Sequence, residues 1–118
     1  MRVERVDFVT VPTRDPDRSR AWYRDVLGLP VDASNADELA AGQVTLTCWN
    51  PEEDGLEFSP NLGGIALRVE DVRAACAELE RRGVAVAGIQ DSGVCQMGFV
   101  RDPDGNWVIL HRRYAAYA

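Results

Sequence analysis

Apolar and polar residues alternate along VERVDFVTV (3–11), with Val3, Val9 and Val11 on one parity and Val6, Phe8 and Thr10 on the other. That pattern predicts a strand burying one face. The period then changes. Asp15 is a good N-cap, Pro16 suits a first helical position, and Ala21, Trp22, Val26 and Leu27 recur at helical spacing until Gly28. A helix of about three turns is expected here.

The second half repeats the phrase. GGIALRV (63–69) reads as a strand, Glu70-Asp71 as a cap, and Val72, Ala75, Cys76 and Leu79 as a helical stripe ended by Gly83. Phe8 maps onto Gly64 and Asp15 onto Asp71 at one common offset, which points to a duplicated module. Strand-like text follows each helix: VDA (31–33), QVTLTCW (43–49) and LEF (56–58), then VAVAGI (84–89), CQMGFVR (95–101) and NWVILHR (106–112). Each half therefore reads as βαβββ. The turns NPEEDG and DPDG are expected at matching places, with Gly55 and Gly105 supplying positive φ. No linker interrupts the chain, so the reading is one α+β domain over 1–118, with module 1 about 1–60 and module 2 about 61–118.

Composition narrows the class. The chain has 118 residues, 46% apolar and 27% charged, as in globular proteins, and no apolar run approaches the ~20 residues of a membrane span. The first residues mix Arg2, Glu4, Arg5 and Asp7 into apolar positions, unlike a secretory signal, so the expected location is the cytoplasm. Cys48, Cys76 and Cys95 form no C-x-x-C pair and read as small buried apolar residues. A net charge of −6 and a pI near 4.7 disfavour nucleic acid, since the one dense basic cluster is His111-Arg112-Arg113. The acidity fits cationic ligands or simply solubility.

Three stretches, VDFVTVPTRDPDRSRAWYRDVLGL (6–29), IALRVEDVRAACAELERRGV (65–84) and FVRDPDGNWVIL (99–110), together resemble the vicinal oxygen chelate superfamily. That superfamily holds glyoxalase I, extradiol dioxygenases, fosfomycin-modifying enzymes and bleomycin-resistance proteins. The resemblance implies the glyoxalase/bleomycin-resistance fold, two pseudo-symmetric βαβββ modules forming a half-open barrel around a cleft, usually in a homodimer. It supplies no reaction. Metal-dependent members carry ligands on the first and last strands of each module. The matching positions are Phe8, Gly64 and Ile109, none of which offers a side-chain donor atom. Glu57 or Ser59 is the candidate for the fourth.

Counting by twos from those positions gives the cleft side of each strand: Val6 and Thr10, Ala66 and Arg68, Trp107 and His111, then Cys95, Met97 and Phe99, and Thr45, Thr47 and Trp49. Gln96 falls on the opposite parity. The expected ligand-binding residues are Phe8, Thr10, Thr47, Trp49, Arg68, Met97, Phe99, Trp107, Ile109 and His111. Such a lining suits a flat or hydrophobic ligand, or else it fills the barrel as core. His111, the only histidine, and Arg68 are the candidates for catalysis; Arg68 has a structural alternative in pairing with Asp102. No serine sits in a nucleophile-elbow setting.

The sequence thus points to cofactor-free, metal-independent binding of a hydrophobic or aromatic small molecule, an antibiotic or metabolite, in a dimer-associated cleft. A metal-free isomerase, lyase or cyclase is the second reading, and a metal-dependent glyoxalase or dioxygenase the third. Tyr114 and Tyr117 of the tail RRYAAYA either pack across a dimer or fray.

Overall fold

The computed structural model describes residues 1–116, which divide into two compact units, Met1–Pro60 and the chain from Asn61 onward. The first unit contains β1 (Phe8–Pro12), α1 (Pro16–Asp25), β2 (Leu39–Ala41), β3 (Val44–Trp49) and a 3-10 helix at Pro51–Asp54. The second contains β4 (Ile65–Arg68), α2 (Val72–Arg81), β5 (Val86–Asp91), β6 (Cys95–Arg101) and β7 (Trp107–Arg113). The architecture is α+β, with one small sheet and one helix in each unit.

The caps act as their sequence implies. The Asp15 carboxylate accepts from the Arg18 N–H at 3.2 Å and that of Asp71 from the Ala74 N–H at 3.0 Å, so each satisfies a donor left open at a helix start. α2 turns Val72, Cys76 and Leu79 inward, and they are buried together with Val100, Val108 and Leu110 of β6 and β7. In the first unit α1 buries Ser19 and Tyr23 while Val11, Leu39 and Leu46 are buried in the sheet. Tyr23 lies outside the stripe read from the sequence and is nevertheless the largest side chain α1 buries. No disulfide joins the three cysteines, and burial, followed by the charge of Glu80, pushes the Cys76 thiol above its ordinary value.

The second sheet runs β4-β7-β6-β5, with β4 parallel to β7 and the other pairs antiparallel. All the strands expected there are present. The first sheet runs β1-β3-β2 and departs from expectation in several ways. VDA contributes a single bridge, Val31 to Leu39, and the short strand β2 stands where no strand was read. β1 begins at Phe8 rather than Val3, because its partner β3 turns away at Gly42, φ 64°, and leaves earlier residues nothing to pair with.

LEF forms no strand, and NPEEDG is not a hairpin turn. β3 already has a neighbour on each edge, and Pro51 opens a 3-10 helix capped by the Asn50 side chain, which accepts from the Glu52 N–H at 3.0 Å. Gly55, φ 74°, ends it. The true counterpart of the DPDG turn is the β2–β3 turn at Gly42.

Candidate functional site

β1 and β3 lie parallel, with Thr10 beside Thr47 and Pro12 beside Trp49. Because Val11 and Leu46 face the helix, these four side chains share the other face. They line a largely apolar cleft of about 650 Å³, whose remaining wall comes from the segment after β3: Pro51, Leu56, Glu57 and Ser59. The 3-10 helix is what brings that segment back over the sheet. The Thr10 and Thr47 hydroxyls lie 3.1 Å apart, and Thr47 also donates to the Val9 carbonyl at 3.4 Å. Trp49 is 38% exposed, yet its indole N–H is fixed by Asp54, donating to Oδ2 at 2.6 Å. The cleft therefore has a held aromatic wall.

In the second unit, the face of the sheet opposite α2 carries a ladder of the expected residues. Arg68 pairs with His111 and His111 with Met97; Ala66 pairs with Ile109 and Ile109 with Phe99. Phe99 meets Trp107 edge to face with ring centres 6.4 Å apart, and the Arg101 guanidinium lies 4.3 Å from the Trp107 ring centre. A Cβ on Gly64 would come within 3.2 Å of Ile109 Cδ1, so the two positions paired by the family resemblance are neighbours in space.

The Arg68 side chain makes no ion pair or hydrogen bond among the described residues. The pairing with Asp102 is corrected. Asp102 is 5% exposed and spends its carboxylate on the Asn106 backbone N–H and side-chain amide, at 2.9 and 2.8 Å. Gln96 opens, as its parity implied, onto the face carrying α2, beside a polar hollow of about 860 Å³ lined also by Arg112 and Tyr114. There the Tyr114 hydroxyl donates to Asp91 at 2.6 Å and, with the Gly93 N–H and the Gln96 amide, holds that carboxyl below its ordinary value. Tyr114 is thus tied to its own unit; Tyr117 lies outside the described residues.

Register also locates the fourth ligand-equivalent position. Thr10 pairs with Thr47 as Ala66 pairs with Ile109, so Thr47 is the counterpart of Ile109, and the expectation of Glu57 or Ser59 is corrected. Both lie beyond the strand. Of Phe8, Thr47, Gly64 and Ile109 only Thr47 carries a donor atom, and that hydroxyl is engaged within the sheet. Among the described residues no three His, Cys, Asp or Glu side chains cluster as a metal ion would require. This donor set does not fit the divalent metal that many proteins of this fold hold.

The profile of the Glyoxalase/Bleomycin resistance protein/Dioxygenase superfamily matches residues 5–110. The chain belongs to this superfamily. Among solved superfamily-like structures, TnmS3, an antibiotic binding protein from Streptomyces sp. CB03234, is 27% identical with a TM-score of 0.76, the alignment covering 96% of this chain and 98% of that one. A glyoxalase/bleomycin resistance protein from the same Streptomyces is also 27% identical, with a TM-score of 0.71 over 92% and 100% of the two chains. A probable lactoylglutathione lyase of Vibrio parahaemolyticus is 27% identical over 121 residues, 88% of this chain and 87% of its own. No helix among the described residues is long and apolar enough to cross a membrane.

Counting by twos grouped the expected residues on the sheet faces where the structure places them. Thr10, Thr47 and Trp49 line the first unit's cleft, and Arg68, Met97, Phe99, Trp107, Ile109 and His111 share one face of the second sheet. Phe8 differs: it sits at the open start of β1, 61% exposed and outside the cleft lining. Pro12, Pro51 and Leu56 were missed. Pro12 shares the parity of Thr10 and was legible on that count; Pro51 and Leu56 depend on the 3-10 helix, which strand parity does not signal.

Proposed function

We propose that this protein binds a hydrophobic or aromatic small molecule without a metal and holds it chemically unchanged, in the manner of a resistance or sequestration protein. The observation that carries this reading is the apolar cleft with Trp49 fixed as a wall and Thr10 and Thr47 as its sparse polar contacts. The lack of side-chain donors at Phe8, Gly64 and Ile109, with the Thr47 hydroxyl engaged within the sheet, supports metal independence, and likeness to an antibiotic binding protein supports the ligand class. Three cysteines, none of them in a disulfide, suit a reducing cytoplasm. Exposed Phe8, Leu56 and Leu62 are apolar surface of the kind a homodimer would cover.

The test is a panel of aromatic compounds and antibiotics. A true ligand at a hundred times its Kd should add about 2.7 kcal/mol to stability, seen as a raised melting temperature, and be recovered unmodified. No shift across a broad panel would defeat the reading.

A second reading, a metal-free isomerase, lyase or cyclase, is favoured by one observation: Arg68 and His111 are cross-strand neighbours, with a guanidinium available to polarise an oxygen and an imidazole available to move a proton. Turnover of a substrate that persists in chelator and vanishes in both Arg68→Ala and His111→Ala is its expected signature. Turnover that chelator abolishes would defeat it.

A further inference from the structure

Charge is divided unevenly along the chain. Residues 1–60 hold six arginines against twelve aspartates and glutamates, while the seven arginines and seven carboxylates of residues 61–118 cancel. The whole net charge of −6 thus belongs to the unit that contains the cleft.

Within that cleft the one ionisable lining side chain is Glu57, which makes no ion pair or hydrogen bond among the described residues. Its acidic neighbours are differently placed. Glu52 lies 3.4 Å from the guanidinium of Arg14, which also stacks 4.3 Å from the Phe58 ring centre, and Asp54 is bound to the Trp49 indole N–H. A carboxylate at the N–H edge of an indole enriches the face of the ring in negative potential, which is the face a cation seeks. An unpaired carboxylate, a fixed indole face and an apolar floor are therefore grouped in one cavity with no basic side chain in its lining.

From this grouping we infer that the cleft selects ligands in which a positive charge, an amine or amidinium, is set beside a flat apolar body. Glu57 pairs the charge, Trp49 receives it or the ring beside it, and the acidic unit steers the cation inward. The inference rests on the binding reading above and sharpens its ligand class.

Three probes with one ring system separate the two ideas: 2-naphthylmethylammonium, 2-naphthalenemethanol and 2-naphthoate, titrated calorimetrically into the full chain. The ammonium compound should bind about tenfold more tightly than the alcohol, with naphthoate weakest, an advantage that sums an exposed ion pair and a cation–π contact. The preference should shrink in added salt and fall to within about twofold in Glu57→Gln. Glu57 is exposed and unpartnered, so that variant folds as the parent does; Glu53→Gln, on the same acidic segment but outside the lining, should keep the preference. Alcohol binding as tight as ammonium binding overturns the inference and leaves apolar binding standing. Equal losses in Glu57→Gln and Glu53→Gln overturn the assignment to Glu57. Failure of all three probes to bind overturns the inference, while the binding reading stands or falls on the broad panel.

Discussion

Replacing Asn106 by alanine should lower the stability of the protein by about 2–4 kcal/mol, the range for breaking a buried, fully paired polar network. Asn106 is 2% exposed and ties three segments together. Its amide nitrogen donates to Asp102 at 2.8 Å, its carbonyl oxygen accepts from the Asn61 N–H at 2.7 Å, and its backbone closes the 102–106 turn through paired bonds with Asp102. Asn61 in turn accepts the Trp107 N–H at 3.0 Å on its backbone carbonyl, and the N–H groups of Gly63 and Gly64 on its side chain. Truncation would leave the Asp102 carboxylate short of a donor and the Asn61 N–H short of an acceptor inside the protein. Urea unfolding of the variant is the measurement. A midpoint change worth less than about 1 kcal/mol would show the network to be incidental. The expected loss also has a local side, since the same bonds fix Gly64 against Ile109 and Trp107.

Gly98→Ala should cost about 1–3 kcal/mol through overpacking. Gly98 lies in the middle of β6, buried beneath α2, and a Cβ there would collide with the Cys76 sulfur and reach within 3.3 Å of Val72 Cγ1. The glycine is required by the close approach of strand and helix, not by an unusual backbone angle. Combining Gly98→Ala with Cys76→Ala removes the colliding atom. The double variant should therefore be more stable than the sum of the single effects predicts, with a coupling above about 1 kcal/mol in a thermodynamic cycle. Strict additivity would show that the strand yields elsewhere and that the contact is not the reason for the glycine.

Legibility followed the range of the interactions involved. Helix α2 was readable because its cap, its stripe and its terminating glycine lie within a dozen residues of one another. Strands β6 and β7 were readable because a short turn joins them and fixes which face each side chain takes, so Met97, Phe99, Trp107 and Ile109 fell on the expected side. The first unit was harder. Its last strand is β3, not LEF, since β1 pairs in parallel with a segment some 37 residues away, and nothing local to Thr10 names Thr47 as its partner. Once that pairing is known, the position equivalent to Ile109 moves from Glu57 or Ser59 to Thr47.

Sequence by itself determined the superfamily, the duplicated plan, both helix starts and the absence of metal donors at Phe8, Gly64 and Ile109, all of which depend on residue identity and short spacings. The tertiary structure decided which strands adjoin in the first sheet, that Phe8 stands exposed while Thr10 and Trp49 line a cleft, and that Asp102 serves Asn106 and not Arg68. It also placed Glu57 in the cleft lining. In the sequence that residue is one acid among many on an acidic chain. Only the return of the segment after the 3-10 helix, a matter of long-range packing that pattern does not encode, sets its carboxylate in the same cavity as the Trp49 ring.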